Sequence, residues 1–221
     1  MVAVFGTLGF RPKSLIPTIR STADVDEVVV YCGSDKADPG SAKKVAEARR
    51  SVVEYCRNLR IAIEVVDLED PFDFRSIALR IRADVRKRKQ AGKDIGVFNI
   101  AGGTRPTSSA ALLVCMLEGI PTVYVHDVTY QEIRLPLLRM EYSQVLSGME
   151  RTILGILVNN KGGDLTEVEL AKLVGKHKAT VNHHLRNLVK KGAVRLERHP
   201  KDSRKKIVRL EESTELLLGE A

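Results

Sequence analysis

The chain has 221 residues, of which 43% are hydrophobic and 29% charged, and a formal net charge of +8. That length falls between one and two ordinary domains, and the composition supports globular cores and excludes a disordered chain. No apolar run approaches the roughly 20 residues that cross a bilayer, and the first residues lack the basic segment of a secretory leader, so a soluble, cytoplasmic protein with no membrane partner is expected.

Residues 2–5 are a short apolar run, a first strand ending at Gly6. Residues 11–21 follow as a helix with Pro12 near its start, where a missing N–H costs little. A β-branched buried strand spans 27–32, and residues 39–59 carry Val45, Ala48, Val52, Val53 and Cys56 at helical spacing. Residues 61–68 read as a third strand. Residues 72–89 form an amphipathic helix with Phe74, Ile77, Ala78, Ile81 and Val85 on one face. Its end, Arg86 to Lys89, fits the preference of cations for a helix C-terminus. A strand at 95–100, a helix at 104–117 and a fifth strand at 122–126 complete the alternation. Pro136 limits 133–138 to an edge strand or a connector. Continuous apolar strands alternating with amphipathic helices imply an α/β fold: a Rossmann-like, mainly parallel sheet covered on both faces, with right-handed crossovers.

Farther along, the period changes. The reading is an α/β domain over 1–138, a linker over 139–148 and a second domain over 149–221. Residues 142–159 suggest a helix ended by Gly162 and Gly163. Thr166 and Glu169 form a capping box before Leu170, Leu173 and Val174, and Gly175 makes a turn. Residues 179–191 form a third helix with Val181, Leu185, Leu188 and Val189 inward, stopped by Gly192. Strands at 193–197 and 206–210 flank a loop at 199–204.

This order is the plan of a winged helix-turn-helix. Between Lys172 and Arg209 the chain carries 13 basic and two acidic residues, a footprint for a polyanion. The outward face of the third helix offers Lys178, Thr180, Asn182, His183 and Arg186, side chains able to address base edges and phosphates. The wing offers Arg198, Lys201, Arg204 and Lys205 to phosphates or a minor groove. Double-stranded DNA is the partner this implies. A protein–protein winged helix and a merely solvated basic face remain alternatives. The adjacent His183 and His184 lack a Cys or carboxylate at metal-ligand spacing, so no metal is expected. Cys32, Cys56 and Cys115 are scattered and odd in number. Cys32 and Cys115 lie in apolar runs, as buried thiols would.

Ligands on parallel sheets bind outside the carboxyl ends of the strands. Two loops there combine Gly, Thr and Arg-Pro ahead of a helix: residues 5–12 and 99–106. Glycine lets backbone approach a ligand, and a helix N-terminus favours an anion. Thr104 and Arg105 could add donors, and Ser34, after the second strand, could line the same cleft. Neither loop is a P-loop or a dinucleotide fingerprint. Tight strand-to-helix turns alone would also explain the glycines.

On the Thr7, Leu8, Gly9, Phe10 loop, the loop from Asn99 to Pro106 and the basic winged helix behind them, the chain resembles CRISPR-associated Rossmann-fold (CARF) sensors fused to a winged helix, as in archaeal CRISPR-associated transcriptional regulators. The resemblance implies a homodimer with one two-fold symmetric pocket for a cyclic oligoadenylate effector, often the tetra-adenylate, and no other cofactor. It carries over to Thr7, Leu8, Gly9, Phe10, Gly102, Gly103, Thr104 and Arg105 as ligand contacts; Ser34 rests on its strand-end placement alone. The expected function is a ligand-responsive DNA-binding regulator and not an enzyme. Related sensors that cleave their own ring give one alternative, but neither main loop holds a His or carboxylate to serve as acid or base. A regulator sensing another small anion is the other.

Overall fold

The computed structural model describes residues 2–136, 146–160, 164–200, 202–211 and 214. The chain divides into two compact units, Met1–Met140 and Glu141–Ala221.

In the first unit, β1 (Val2–Leu8), β2 (Val25–Cys32), β3 (Ala62–Asp67), β4 (Asp94–Asn99) and β5 (Thr122–Val125) pair in parallel, and β6 (Glu132–Arg134) adds antiparallel to β5. The strand order is β3-β2-β1-β4-β5-β6. Each parallel pair needs a crossover, supplied by α1 (Ile16–Ser21), α2 (Pro39–Asn58), α3 (Phe74–Gln90) and α4 (Arg105–Glu118). Alternate strand residues face opposite layers. Val4, Leu8, Val28, Val30 and Cys32 join Val45, Ala48, Val52 and Cys56 of α2 in one core cluster. Phe5, Tyr31 and Phe98 stack together elsewhere in the core, with ring centroids 5.7–6.3 Å apart. Each fully buried aliphatic or aromatic side chain here contributes about 1.5–3 kcal/mol.

Three details depart from the sequence reading. The first strand continues through Gly6 to Leu8, because the Leu15 side chain fills the space a Cβ at Gly6 would take. The helix expected over 11–21 splits into a 3-10 turn (Pro12–Ser14) and α1. Pro17 is tolerated only in a first turn, so the α-helix starts afresh at Ile16. The edge strand shortens to Glu132–Arg134; residues 137 and 138 lie outside the described residues.

The basic end of α3 reads inward. Arg88, buried, donates to Glu27 at 2.8 Å and to Glu64, and its guanidinium lies 5.4 Å from the Phe5 ring centroid. Arg82, Arg86 and Lys89 converge on Glu118 at 2.7, 2.9 and 3.3 Å. These cations are held chiefly by carboxylates of neighbouring elements, beyond any attraction to the helix's own C-terminus. Burial opposes ionisation of Glu118, but hydrogen bonds from Arg82 and Arg86 and the fields of both outweigh it. The carboxyl is held below its usual range. Glu27 is lowered likewise, its burial outweighed by Arg88 and Lys93.

A carboxyl with a depressed folded pKa contributes stability that is present above its unfolded value and is lost as pH falls through the folded one. The denaturant midpoint of this unit should therefore hold steady from neutral pH down to about 5, then fall below about 4.3. Glu118→Gln should lower the midpoint at neutral pH and flatten the acid decline. An equally steep decline in that variant would assign it to other groups.

All three cysteines are buried. Burial, aided by Asp67, pushes the Cys32 thiol up to about 12. Burial alone lifts Cys56 to about 11, and burial outweighs a Thr122 hydrogen bond to push Cys115 to about 12. Such thiols are inert core groups.

The second unit comprises α5 (Gly148–Asn159), β7 (Leu165–Thr166), α6 (Glu167–Val174), α7 (Lys178–Lys190), β8 (Val194–His199) and β9 (Asp202–Leu210). The three strands form an antiparallel sheet in the order β7-β9-β8. Ile153, Leu154 and Leu157 of α5, Leu170 of α6 and Val181, Leu185 and Leu188 of α7 share one core with Val194 and Val208. The Thr166–Glu169 capping box forms as expected. The helix expected from 142 instead begins after Ser147, which caps it in a second capping box with Glu150. Residues 142–145, Gly162 and Gly163 lie outside the described residues. The wing strands run longer than expected, with His199 paired to Asp202, so Arg204, expected in the loop, sits on β9 with Lys205.

Candidate ligand cleft and nucleic-acid interface

Crossovers from β1 and β4 leave in opposite directions in this strand order, which opens a crevice at their carboxyl ends. The loops after these two strands meet there. Asn99, fully buried at the end of β4, donates to the Ser14 carbonyl at 2.8 Å and the Thr18 hydroxyl at 2.7 Å, while its Oδ1 accepts from the Ala101 amide at 2.8 Å. It clamps the segment after β1 against the loop after β4. A Cβ on Gly102 would lie 2.8 Å from Leu8 Cα and 2.9 Å from the Gly9 nitrogen, and closer still to the Thr7 carbonyl oxygen. Gly103 has φ +80, which disfavours any side chain. The result is a cleft of about 190 Å³ lined by Gly9, Phe10, Arg11, Ser14, Ala101, Gly102, Gly103 and Asp127.

Of the residues expected to contact a ligand, Gly9, Phe10, Gly102 and Gly103 line this cleft. Thr7 and Leu8 are fully buried in β1, and the Thr7 hydroxyl has no hydrogen-bond partner among the described residues. Thr104 caps α4, accepting from the Thr107 amide at 3.3 Å, and its hydroxyl also bonds the Pro71 carbonyl. Arg105 is exposed at the first position of α4, whose opening turn holds no acidic residue. Ser34 is half-buried in the loop after β2 and does not line the cleft. Phe10 is 52% exposed with the Lys44 ammonium 5.4 Å from its ring centroid, a cation–π distance.

Sequence reasoning missed Arg11, Asp127 and the clamp role of Asn99. Arg11 donates to the Asp127 carbonyl at 3.4 Å. Asp127 follows the end of β5 closely, so the strand-end rule applied there would have found it. A larger hollow of about 450 Å³ beside the end of β3 is rimmed by Asp67, Glu69, Asp70 and Asp73. Asp67 holds Arg49 at 2.7 and 2.9 Å, Asp70 accepts from the Phe72 amide and Asp73 caps α3, so three of its carboxylates are engaged, and Lys36 and Arg80 also line it.

In the second unit Lys178, Thr180, His183 and Arg186 are exposed on α7, on the side away from Val181, Leu185 and Leu188. Asn182, expected on that face, is half-buried, with its amide oxygen enclosed and without a hydrogen-bond partner among the described residues. On the wing, Arg198 is exposed and the Arg204 side chain is 91% exposed. Arg204 and Lys205 share Asp202 at 3.4 and 3.7 Å. Exposed pairs are worth about 0–1 kcal/mol, so both cations can exchange this carboxylate for a phosphate. Lys201 lies outside the described residues. Arg195 and Arg209 pair with Glu197, Glu211 and Asp164, also part-exposed.

An α/β unit with a switch-point cleft, followed by a winged helix with a basic helix and hairpin, defines the class: a winged-helix regulator with an α/β companion. Residues 146–205 match a family model described as MarR family. Residues 18–138, more than half of the chain, match the family described as CRISPR-associated protein (Cas_APE2256), and the chain belongs to that family.

No curated protein matches the chain. Among solved structures it is similar to the S. aureus MepR–DNA complex, at 26% identity and a TM-score of 0.33 over 34% of this chain and 61% of that one. It is also similar to MepR, a transcription regulator of the Staphylococcus aureus multidrug efflux pump MepA, at 25% identity and a TM-score of 0.32 over 34% and 55%. The chain spans less than two thirds of the length of either. Among the described residues no helix is long and apolar enough to cross a membrane, and no group of three His, Cys, Asp or Glu could hold a metal ion.

Proposed function

We propose that this protein is a DNA-binding transcription regulator of a CRISPR–Cas system that senses a cyclic oligoadenylate, the tetra-adenylate first, in a pocket shared by two copies of the chain. The observation that carries the DNA reading is the exposure of Lys178, Arg186, Arg198, Arg204 and Lys205 on one helix and the hairpin that follows it. A helix of this kind reads a major groove while the hairpin holds phosphates. Two copies would place their helices on half-sites about 34–36 Å apart or a multiple of that.

The ligand reading is supported by the cleft between the Gly9 and Gly103 loops, at the N-terminal end of α4. Main-chain amides and Arg11 suit a phosphodiester, and Phe10 offers a surface for a base. A two-fold ring on a two-fold axis would meet identical donors from each copy. Binding in that pocket would shift DNA affinity by the difference in ring affinity between the two poses of the dimer, and by no more.

Calorimetric titration of the purified protein with cyclic tetra- and hexa-adenylate tests this. Saturation at one ring per two chains is expected, together with a changed DNA affinity at saturating ring. No heat from either ring, with DNA binding intact, would leave a regulator that senses some other anion.

A further inference from the structure

One carboxylate in the second unit joins parts of the chain that act separately in the proposed function. Glu150, in the first turn of α5, is 2% exposed. Its Oε2 accepts from the Ser147 amide at 2.7 Å and from the Lys191 ammonium at 2.7 Å. Ser147 is the cap where the chain enters α5, directly after Leu146, which is buried in the core of this unit. Lys191 caps the C-terminal end of α7. The Ala193 amide then returns to the Leu188 carbonyl at 2.9 Å and β8 begins at Val194, so Lys191 stands at the joint between helix and wing. The Ser147 hydroxyl closes the box by accepting from the Glu150 amide at 3.2 Å.

A single buried oxygen shared by two donors couples them. Moving the Ser147 amide displaces the carboxylate, and Lys191, whose side chain is 30% exposed, is held to it because Glu150, 2% exposed, would otherwise be left a buried charge without its cation. We infer that Glu150 is a positioning residue that makes the pose of α7 and the conformation of the chain at Ser147 one degree of freedom. The inference rests on α7 being the DNA-reading helix, and it gives any signal reaching Ser147 a route to that helix. Burial opposes ionisation of this carboxyl, but Lys191 and Ser147 together hold it below its usual range, so the carboxylate is charged at neutral pH.

Amide hydrogen exchange on the full chain tests this without any ligand. Ser147→Ala should speed exchange at Lys191, Gly192 and Ala193 by about 10-fold relative to the Leu154 amide in the core of α5. Lys191→Met should speed exchange at Ser147 and Glu150 by a similar factor, and Lys191→Arg should restore most of it. Effects confined to the mutated helix, or equal at every amide including Leu154, would overturn the inference. Adding a duplex DNA to the wild-type chain separates the two claims. Failure to bind DNA would count against the proposed function, while the reciprocal exchange pattern stands or falls by itself.

Discussion

Gly102→Ala lowers the melting temperature of the α/β unit by about 10 °C, whereas Gly103→Ala, one residue on, lowers it by a few degrees. The two glycines are needed for different reasons. At Gly103 the obstacle is φ +80. A left-handed conformation costs a side-chain-bearing residue about 1–2 kcal/mol, and the nearest atom to the added Cβ would be a Thr107 methyl carbon at 3.2 Å, which has some room to give. At Gly102 the three atoms nearest the added Cβ are all main chain, of Thr7, Leu8 and Gly9, where β1 is paired with its neighbours. Overpacking typically costs about 1–3 kcal/mol even where side chains can adjust. A clash with a central strand that cannot move belongs at or above the top of that range, and about 3 kcal/mol corresponds to roughly 10 °C for a unit of this size. Differential scanning calorimetry of the two variants checks the order. Equal shifts would mean that the loop after β4 can back away from β1, and the close approach would lose its explanatory value.

Reversing Arg204 and Lys205 to glutamate weakens binding to any duplex DNA by about two orders of magnitude at physiological salt, and replacing both with alanine flattens the salt dependence by about two units of log–log slope. Each phosphate contact releases condensed counterion, so lost contacts appear in the slope whatever the sequence of the DNA. Both side chains are exposed on β9, and their only ion pair among the described residues is the one they share with Asp202. Removing them therefore disturbs little of the folded unit, and a loss of affinity reports contact with DNA. An unchanged slope in the alanine variant, measured by fluorescence anisotropy across a salt series, would show that the wing stays off the duplex and would favour a protein partner for this module.

How legible each part was follows from the range of the interaction that built it. The order of strands and helices was plain because apolar spacing is local: Val45, Ala48, Val52 and Cys56 face the sheet in the structure as their spacing requires. The Thr166 capping box and the inward set Val181, Leu185 and Leu188 were equally direct, whereas Val189, expected inward with them, is 41% exposed. Errors arose where a distant residue decided the outcome. Gly6 resembled the end of a strand until Leu15 filled its empty side-chain position. The start of α5 is a local exception: the apolar period extends to the N-terminal side of Ser147, while the Ser147–Glu150 capping box marks where the helix begins. The two-residue β7 has no signal of its own, since only pairing with Ile207 and Val208 makes it a strand. In the cleft, the glycines announced themselves, whereas Asp127 arrives from another strand end, and Thr104, a plausible ligand donor by type, spends its hydroxyl on the Thr107 amide and the Pro71 carbonyl.

The floor of that cleft is polypeptide backbone, with Gly9, Gly102 and Gly103 pressed against one another. Backbone lies beyond the reach of point mutation, so drift cannot retune it: a substitution there damages the sheet before it alters recognition. Only the rim is free to vary. On the proposed ligand reading, a change of messenger would be recorded at Phe10, Arg11 and Asp127, and a laboratory library aimed at new specificity would do best to randomise those three positions and leave the glycines untouched.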